Sequence, residues 1–339
     1  MEKLSNNVNR GGQFFAPSEN LFSLLEQAKE CTETVKESIV KAWNIVNSDK
    51  YKRIFCSISG GADSDVMLDM CMRIDKNHKI DYVWFDTGLE YSATKEHLVY
   101  LEDKYGIEFR KEKAIVPIPS SCKQYGQPFM SKKASDMISR LQSHGFQFED
   151  KPFEELYKKY PNCKSALRWW TNDFGCNAYN IRQNKLLKEF MVENPPQFNI
   201  SSKCCDYAKK KIAHKIEKEY DLNLYGVRKS EGGIRSNSYK TCFDSNGEFR
   251  PIFWFKEADK ESYCATFGVT HSKCYTEYGL PRTGCAGCPY ARGFENELEV
   301  INKYEPKLYK AVNHIFKDSY EYTRQYWKFR RDKENNEKV

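Results

Sequence analysis

The sequence predicts an α/β protein, a doubly wound, mostly parallel sheet with a helical insertion and a C-terminal helical extension. Three observations lead there. From residue 53 to 116 short apolar strand patterns alternate with helical patterns in the order β-α-β-α-β, as parallel strands joined by crossovers must. From 117 to 200 the alternation stops, and seven prolines separate short helical stretches. Strand and helix patterns then return, so the sheet continues beyond the inserted segment.

At 339 residues there is length for two domains, or for one enlarged domain with additions. Apolar residues make up 40%, charged 30% and aromatic 14%, a mixture that excludes a disordered, collagenous or coiled-coil chain.

Each element follows from its pattern. Residues 1–20 lack periodicity and read as an arm, and 21–48 place Phe22, Leu25, Ile39, Ala42 and Ile45 at helical spacing. A strand is expected over 53–58, a buried helix over 65–74, a second strand over 80–86 and a third near 108–116. Beyond the insertion, 223–227 reads as a strand and 228–236 as a loop. The run 249–255, FRPIFWF, reads as a strand or extended segment, and 256–267 as a helix. A last helix is expected from 295 to about 330, with Leu298, Ile301, Leu308, Val312, Ile315 and Phe316 on its apolar face and a frayed end. The expected domains are an arm and helix (1–50), a central α/β domain (51–116 and 200–292), a helical basic insertion (117–199) and a C-terminal helix and tail (293–339).

Charge is unevenly placed. The 54 Lys and Arg exceed the 47 Asp and Glu by seven, and the segment 151–215 alone holds 13 basic against 6 acidic residues. Interleaved with Trp169, Trp170, Phe174 and Tyr179, this segment has the make-up of a nucleic-acid groove, and equally of a solvated helical face over core aromatics. No run approaches the ~18 apolar residues of a membrane span. The opening residues are too polar for a secretory signal, so the expected location is the cytoplasm and no membrane partner is expected. Thirteen cysteines, an odd number in a chain with length for a core, point to metal or thiol chemistry rather than a disulfide framework.

The most specific motif is Ser59-Gly60-Gly61-Ala62-Asp63-Ser64, directly after an apolar strand and before a helix. Two glycines let the backbone turn tightly, while free N–H groups and the helix dipole favour a phosphate. Ser59 and Ser64 add hydroxyls. No Lys follows the glycines as it does in the common NTPase loop. This loop resembles that of the PP-loop ATP pyrophosphatase superfamily, whose signature SGGxDS it matches throughout. The resemblance implies an adenine nucleotide alpha hydrolase-like fold, with ATP or a related adenine nucleotide held by Ser59, Gly60, Gly61, Asp63 and Ser64. Asp63 is also a candidate catalytic residue, and Mg2+ a candidate cofactor. Asp86-Thr87-Gly88 at the end of the second strand is similar to the segment found there in the phosphoadenylyl-sulfate reductase branch, which puts Asp86 and Thr87 near the nucleotide.

Four cysteines stand in two pairs, Cys204-Cys205 and Cys285-x-x-Cys288. Four thiolates suit a cubane iron-sulfur cluster or a tetrahedral zinc, and the number of ligands does not choose between them. Adjacent cysteines point apart, which favours the bulkier cluster; unligated thiols are the third reading. The pattern resembles the cluster-bearing adenylyl-sulfate reductases, and that resemblance implies a [4Fe-4S] cluster on Cys204, Cys205, Cys285 and Cys288, with Lys203 as a positive neighbour. The loop GVRKSEGGIRS is similar to the family's arginine loop, which implies that Arg228 and Arg235 clamp an anion, a task suited to their planar forks.

The resemblance covers roughly residues 50–116 and 200–292, and it departs at the end of the chain. Those reductases attack sulfur with a cysteine on a C-terminal tail, whereas no cysteine follows Cys288 here. The first expectation is therefore an ATP-using sulfurtransferase, similar to the enzymes of DNA phosphorothioation and to tRNA-thiolating enzymes. It would adenylate a substrate oxygen and insert sulfur, with a nucleic acid as a candidate substrate and a sulfur-donor or electron-donor protein as a candidate partner. A second reading is a sulfonucleotide reductase with a different nucleophile, drawn from Cys122, Cys163 or Cys176, with Cys176 the first candidate. A third is a nucleotide-binding module without turnover.

Overall fold

The computed structural model describes residues 17–18, 20–173, 180–232, 238–291 and 293–336. The chain forms two compact units. The first comprises Met1–Asp86, Glu90–Lys113 and Lys211–Cys285, and the second Thr87–Leu89, Ala114–Lys210 and Ala286–Val339.

The first unit is the expected α/β layer structure. Strands β1 (Ile54–Ile58), β2 (Ile80–Asp86), β3 (Arg110–Lys113), β4 (Leu222–Leu224) and β5 (Glu248–Phe249) lie in the order β3-β2-β1-β4-β5, every pair parallel. Strand order reverses at β1, so β1 and β4 flank the switch point where doubly wound sheets bind ligands. Alternation along β1 sorts its side chains. Ile54, Cys56 and Ile58 join Ile80, Tyr82, Trp84, Leu222 and Leu224 in the larger core, with apolar residues of the helices Glu33–Val46, Ala62–Ile74 and Glu257–Phe267. Phe55, on the other face, meets Val83, Phe85, Ile212, Ile216 and Tyr220. Burying each of the larger side chains contributes about 1.5–3 kcal/mol.

Three details differ from the expectation. The segment 21–48 holds two helices, Leu21–Gln27 and Glu33–Val46, the second capped by Thr32. β5 stops at Phe249, because Pro251 has no N–H and the chain folds into successive turns, Phe253 N to Arg250 O (3.1 Å) and Phe255 N to Ile252 O (3.1 Å). Those turns bury Ile252, Phe253 and Phe255. The C-terminal segment is three helices, Phe294–Tyr304, Pro306–Ile315 and Lys317–Asn336, with Pro306 opening the second, and the last runs on to Asn336, past the point where fraying was expected to begin.

The second unit joins the insertion and the C-terminal helix in one aromatic core. Phe129, Ile138, Leu141, Trp169, Trp170 and Phe190 pack with Tyr322 and Tyr326 of the last helix. Trp169 and Trp170 are 1% and 0% exposed, so they are core residues and not a stacking surface for bases. Trp170 lies edge-on to Phe146 and Phe148 and donates its Nε1–H to the Glu149 carbonyl at 2.9 Å. Phe174 and Tyr179 lie outside the described residues. Several charges of the basic segment are paired, Lys151 and Lys159 with Glu149, Lys185 with Glu334 and Lys210 with Asp206. No described helix is long and apolar enough to cross a membrane.

Candidate active site

β1 delivers the chain into Ser59, and the helix Ala62–Ile74 begins three residues later. Gly60 makes the bend at φ +66°, where a Cβ would be strained and would stand 3.0 Å from Thr94 Cγ2. The loop is held from within and from the side. Ser59 N donates to Ser64 Oγ (3.0 Å) and Gly61 N to Ser59 Oγ (3.3 Å). Ala62 N donates to the Tyr275 hydroxyl (3.2 Å), which also accepts from Thr283 N (3.1 Å). Ser59 is exposed while Gly60, Gly61 and Ser64 are buried.

Asp63 and Arg228 meet here. Arg228 Nε donates to Asp63 Oδ1 at 2.7 Å, and its Nη1 reaches Glu257 Oε2 at 3.0 Å and Ser230 Oγ at 3.4 Å. Arg228 is 8% exposed. The approach of its loop depends on Gly226, whose added Cβ would lie 3.2 Å from the Asp63 carbonyl oxygen. Asp86 ends β2 on the strand beside β1, where Ile58 is in register with Trp84. Thr87 is buried, and its carbonyl accepts from Ile118 N at 3.1 Å within the second unit. Arg235 and Cys176 lie outside the described residues.

In the second unit the helix Ile118–Tyr125 packs on the short helical turn Lys203–Cys205. Cys204 comes within hydrogen-bond reach of both Cys122 and Cys205, and it lies in the field of Cys288. The Cys122 thiol, burial and Cys288 push Cys204 well above the ordinary thiol range, against an opposite pull from Cys205. Cys205 is raised by Cys204 and then by burial, with Lys132 opposing. Tyr290 is pushed up by burial and, further, by Cys204, Cys205 and Cys288. Of the four expected ligands, Cys204 thus lies within electrostatic reach of Cys205 and Cys288. Cys285 ends the first unit, bridged to Glu90, three residues before Cys288 in the chain. Among the described residues no three His, Cys, Asp or Glu side chains are arranged to hold a metal ion.

The donor set nevertheless suits a soft metal centre. Neighbouring thiols, here buried Cys204 and half-buried Cys205 and Cys288, make each other's ionisation costly, and a cation among them reverses that cost. Lys203 is exposed and stands 4.6 Å over the Tyr125 ring, which in turn stacks on Tyr207 at 5.0 Å. Cys163 is buried against the Tyr160 carbonyl and is no accessible nucleophile.

Sequence reading missed Tyr275, Thr283, Glu257 and Gly226, and it offered Cys122 as an alternative nucleophile rather than as a neighbour of Cys204. Gly226, inside the stretch 223–227 read as a strand, was the one legible signal, since a glycine there often marks close backbone approach.

Residues 53–141 match the family model of the phosphoadenosine phosphosulfate reductase domain, the branch whose SGGxDS and DTG segments this stretch carries. No curated protein matches. Among solved structures, phosphoadenylyl-sulfate reductase from Candida auris in a phosphate complex is 16% identical, with a TM-score of 0.39 over 80% of this chain and 97% of that one. The U34-tRNA thiolase NcsA from Methanococcus maripaludis with its [4Fe-4S] cluster is 15% identical, with a TM-score of 0.35 over 86% of this chain and 78% of that one. The NH3-dependent NAD synthetase from Campylobacter jejuni in complex with nitrate is 12% identical, with a TM-score of 0.32 over 86% and 95%.

Proposed function

We propose that this protein, whose residues 53–141 are of the phosphoadenosine phosphosulfate reductase type, is an enzyme that binds ATP or a related adenine nucleotide, adenylates a substrate oxygen and replaces that oxygen with sulfur. The observation that carries the reading is the position of the Ser59–Ser64 loop: it leaves the carboxyl end of the central strand at the switch point and opens directly into a helix. The amides of Gly61 and Ala62 rest on hydroxyl oxygens at 3.3 and 3.2 Å. Phosphate oxygens can take the place of both. The substrate oxygen attacks the α-phosphorus, pyrophosphate leaves, and AMP becomes the leaving group that sulfur displaces.

This chain's residues divide the work. Ser59, Gly60, Gly61 and Ser64 cradle the phosphates, and Asp86 and Thr87 lie toward the rest of the nucleotide. Asp63 holds Arg228 in place for an anion, and Arg235 adds a second guanidinium. A [4Fe-4S] cluster on Cys204, Cys205, Cys285 and Cys288 would supply a soft site for sulfur or electrons. The gathering of Cys204, Cys205 and Cys288 supports it, and Cys285 enters by its spacing to Cys288. The stacked Tyr125 and Tyr207 with Lys203, next in the chain to these thiols, favour an acceptor oxygen on a nucleic acid.

The test is anaerobic turnover. Pyrophosphate released from ATP only when tRNA or DNA is added supports this function. Sulfite released from adenylyl sulfate with a thiol reductant replaces it with a reductase, and neither product leaves a binding module.

A further inference from the structure

Beside the phosphate loop, where Asp65 N donates to the Gly61 carbonyl at 2.9 Å, the first unit builds a third arrangement. Asp65 lies in the first turn of the helix Ala62–Ile74 and is 1% exposed. Its Oδ2 stands 2.9 Å from His271 Nδ1 and 3.0 Å from His97 Nε2. On the far side of the His271 ring, Nε2 is 3.6 Å from Cys264 Sγ. Cys264 is partly exposed on the helix Glu257–Phe267.

We propose that Cys264, His271 and Asp65 form a nucleophilic relay, with Cys264 attacking sulfur electrophiles that contain an S–S bond, either a disulfide or a persulfide. The order thiol, imidazole, buried carboxylate is the one in which a base takes the thiol proton and a third group orients the base. Burial opposes charge on His271, but Asp65 and then Cys264 outweigh it and raise its pKa to about 9. At neutral pH the ring therefore keeps the proton it takes from Cys264 until the leaving sulfur accepts it. Other titratable groups around it are His97 behind Asp65, Tyr275 with its ring 6.0 Å away, and Asp69 one turn on, whose charge is met by Arg73 Nε at 2.6 Å.

The electrophile follows from the chemistry. Acyl transfer needs donors aimed at a developing oxyanion, whereas exchange at sulfur needs a thiolate and an acid for the leaving sulfur. In R–S–S–R′ the Cys264 thiolate bonds to one sulfur. The S–S electron pair goes to the other sulfur, which leaves and takes the proton from His271. The Cys264 sulfur rises by one formal oxidation state and the leaving sulfur falls by one, so the exchange needs no outside oxidant or reductant; for a persulfide the leaving group is the donor thiol, and the outer sulfur stays on Cys264.

This inference does not rest on nucleotide chemistry, and its test omits nucleotide. The intact protein is incubated anaerobically with oxidised glutathione in one arm and glutathione persulfide in the other, and the mass gain at each cysteine is followed against free cysteine at pH 7. Reaction at Cys264 at least tenfold faster than at free cysteine is expected in one arm or both, and the faster arm identifies the electrophile. His271→Gln is expected to slow it tenfold or more and to move its pH profile, with iodoacetamide alkylation of Cys264 slowed in parallel. A wild-type Cys264 no faster than free cysteine in both arms overturns the proposal, and that result needs no variant to fold. An unchanged rate and pH profile in folded His271→Gln overturns it as well. Pyrophosphate release from ATP, measured separately, decides the nucleotide reading alone.

Discussion

Arg228 donates to Asp63 Oδ1 at 2.7 Å and so ties the loop after β4 to the first turn of the helix after β1, across the switch point of the sheet. The pair is mostly buried, with side chains 10% and 17% exposed, and Glu257 holds the same guanidinium. Replacing Arg228 with Ala leaves Asp63 without its donor. Stability should fall by about 1–3 kcal/mol, and ATP affinity should fall at least tenfold, as read by urea unfolding and calorimetric titration. Lys at the same position should restore part of the stability and little of the affinity, because a single ammonium cannot fork.

Gly60→Ala forces a Cβ into φ +66° and against Thr94. The expected cost is about 1–2 kcal/mol, together with loss of ATP binding, because the loop cannot keep its bend. Thermal unfolding and equilibrium binding of a fluorescent ATP analogue check both. Gly226→Ala should do the same from the other side, through its contact with the Asp63 carbonyl.

The His271–Asp65 pair makes stability depend on pH. His271 is raised to about 9, by Asp65 and Cys264 against the opposing effect of burial. Its contribution is full below the unfolded value near ~6.5 and is lost as pH climbs through 9. It is worth on the order of 2–3 kcal/mol. Urea midpoints measured from pH 6 to 10 should fall over that window in the wild type and stay flatter in Asp65→Asn.

Trp170 is fully buried in the second unit's aromatic core. Trp170→Ala should cost about 3–5 kcal/mol in chemical unfolding and should leave the Ser59–Ser64 loop able to bind ATP. A loss of less than 1 kcal/mol would show that Trp170 is not a core residue in solution.

Much of this fold could be read in the sequence, because period and context agreed. Ile80–Asp86 has the bounds its apolar run suggested, and Ser59–Gly61 links strand and helix as the glycines required, while Ala62–Ser64 already form the first turn of the helix expected from 65. What could not be read depends on contacts far apart in sequence. Cys122 belongs with Cys204 because two short helices pack, and no local pattern marks a partner 82 positions away. Trp169 and Trp170 among lysines have the same composition whether they face solvent or a core, and what decides for the core is the shared aromatic cluster, with Phe146 and Phe148 edge-on to Trp170. β5 was over-extended because the apolar letters of FRPIFWF suit a strand, while Pro251 breaks the ladder and the same side chains are buried from turns instead.

The central claim is that the distant cysteine pairs hold one iron-sulfur centre, and anaerobic purification followed by iron, sulfide and zinc analysis tests it most directly. About four irons and four sulfides per chain are expected, with no stoichiometric zinc. Cys204→Ser and Cys288→Ser should each lose them, while Cys122→Ser retains them and all three still bind ATP. Stoichiometric zinc in place of iron, or iron retained in both Cys204→Ser and Cys288→Ser, would contradict the account.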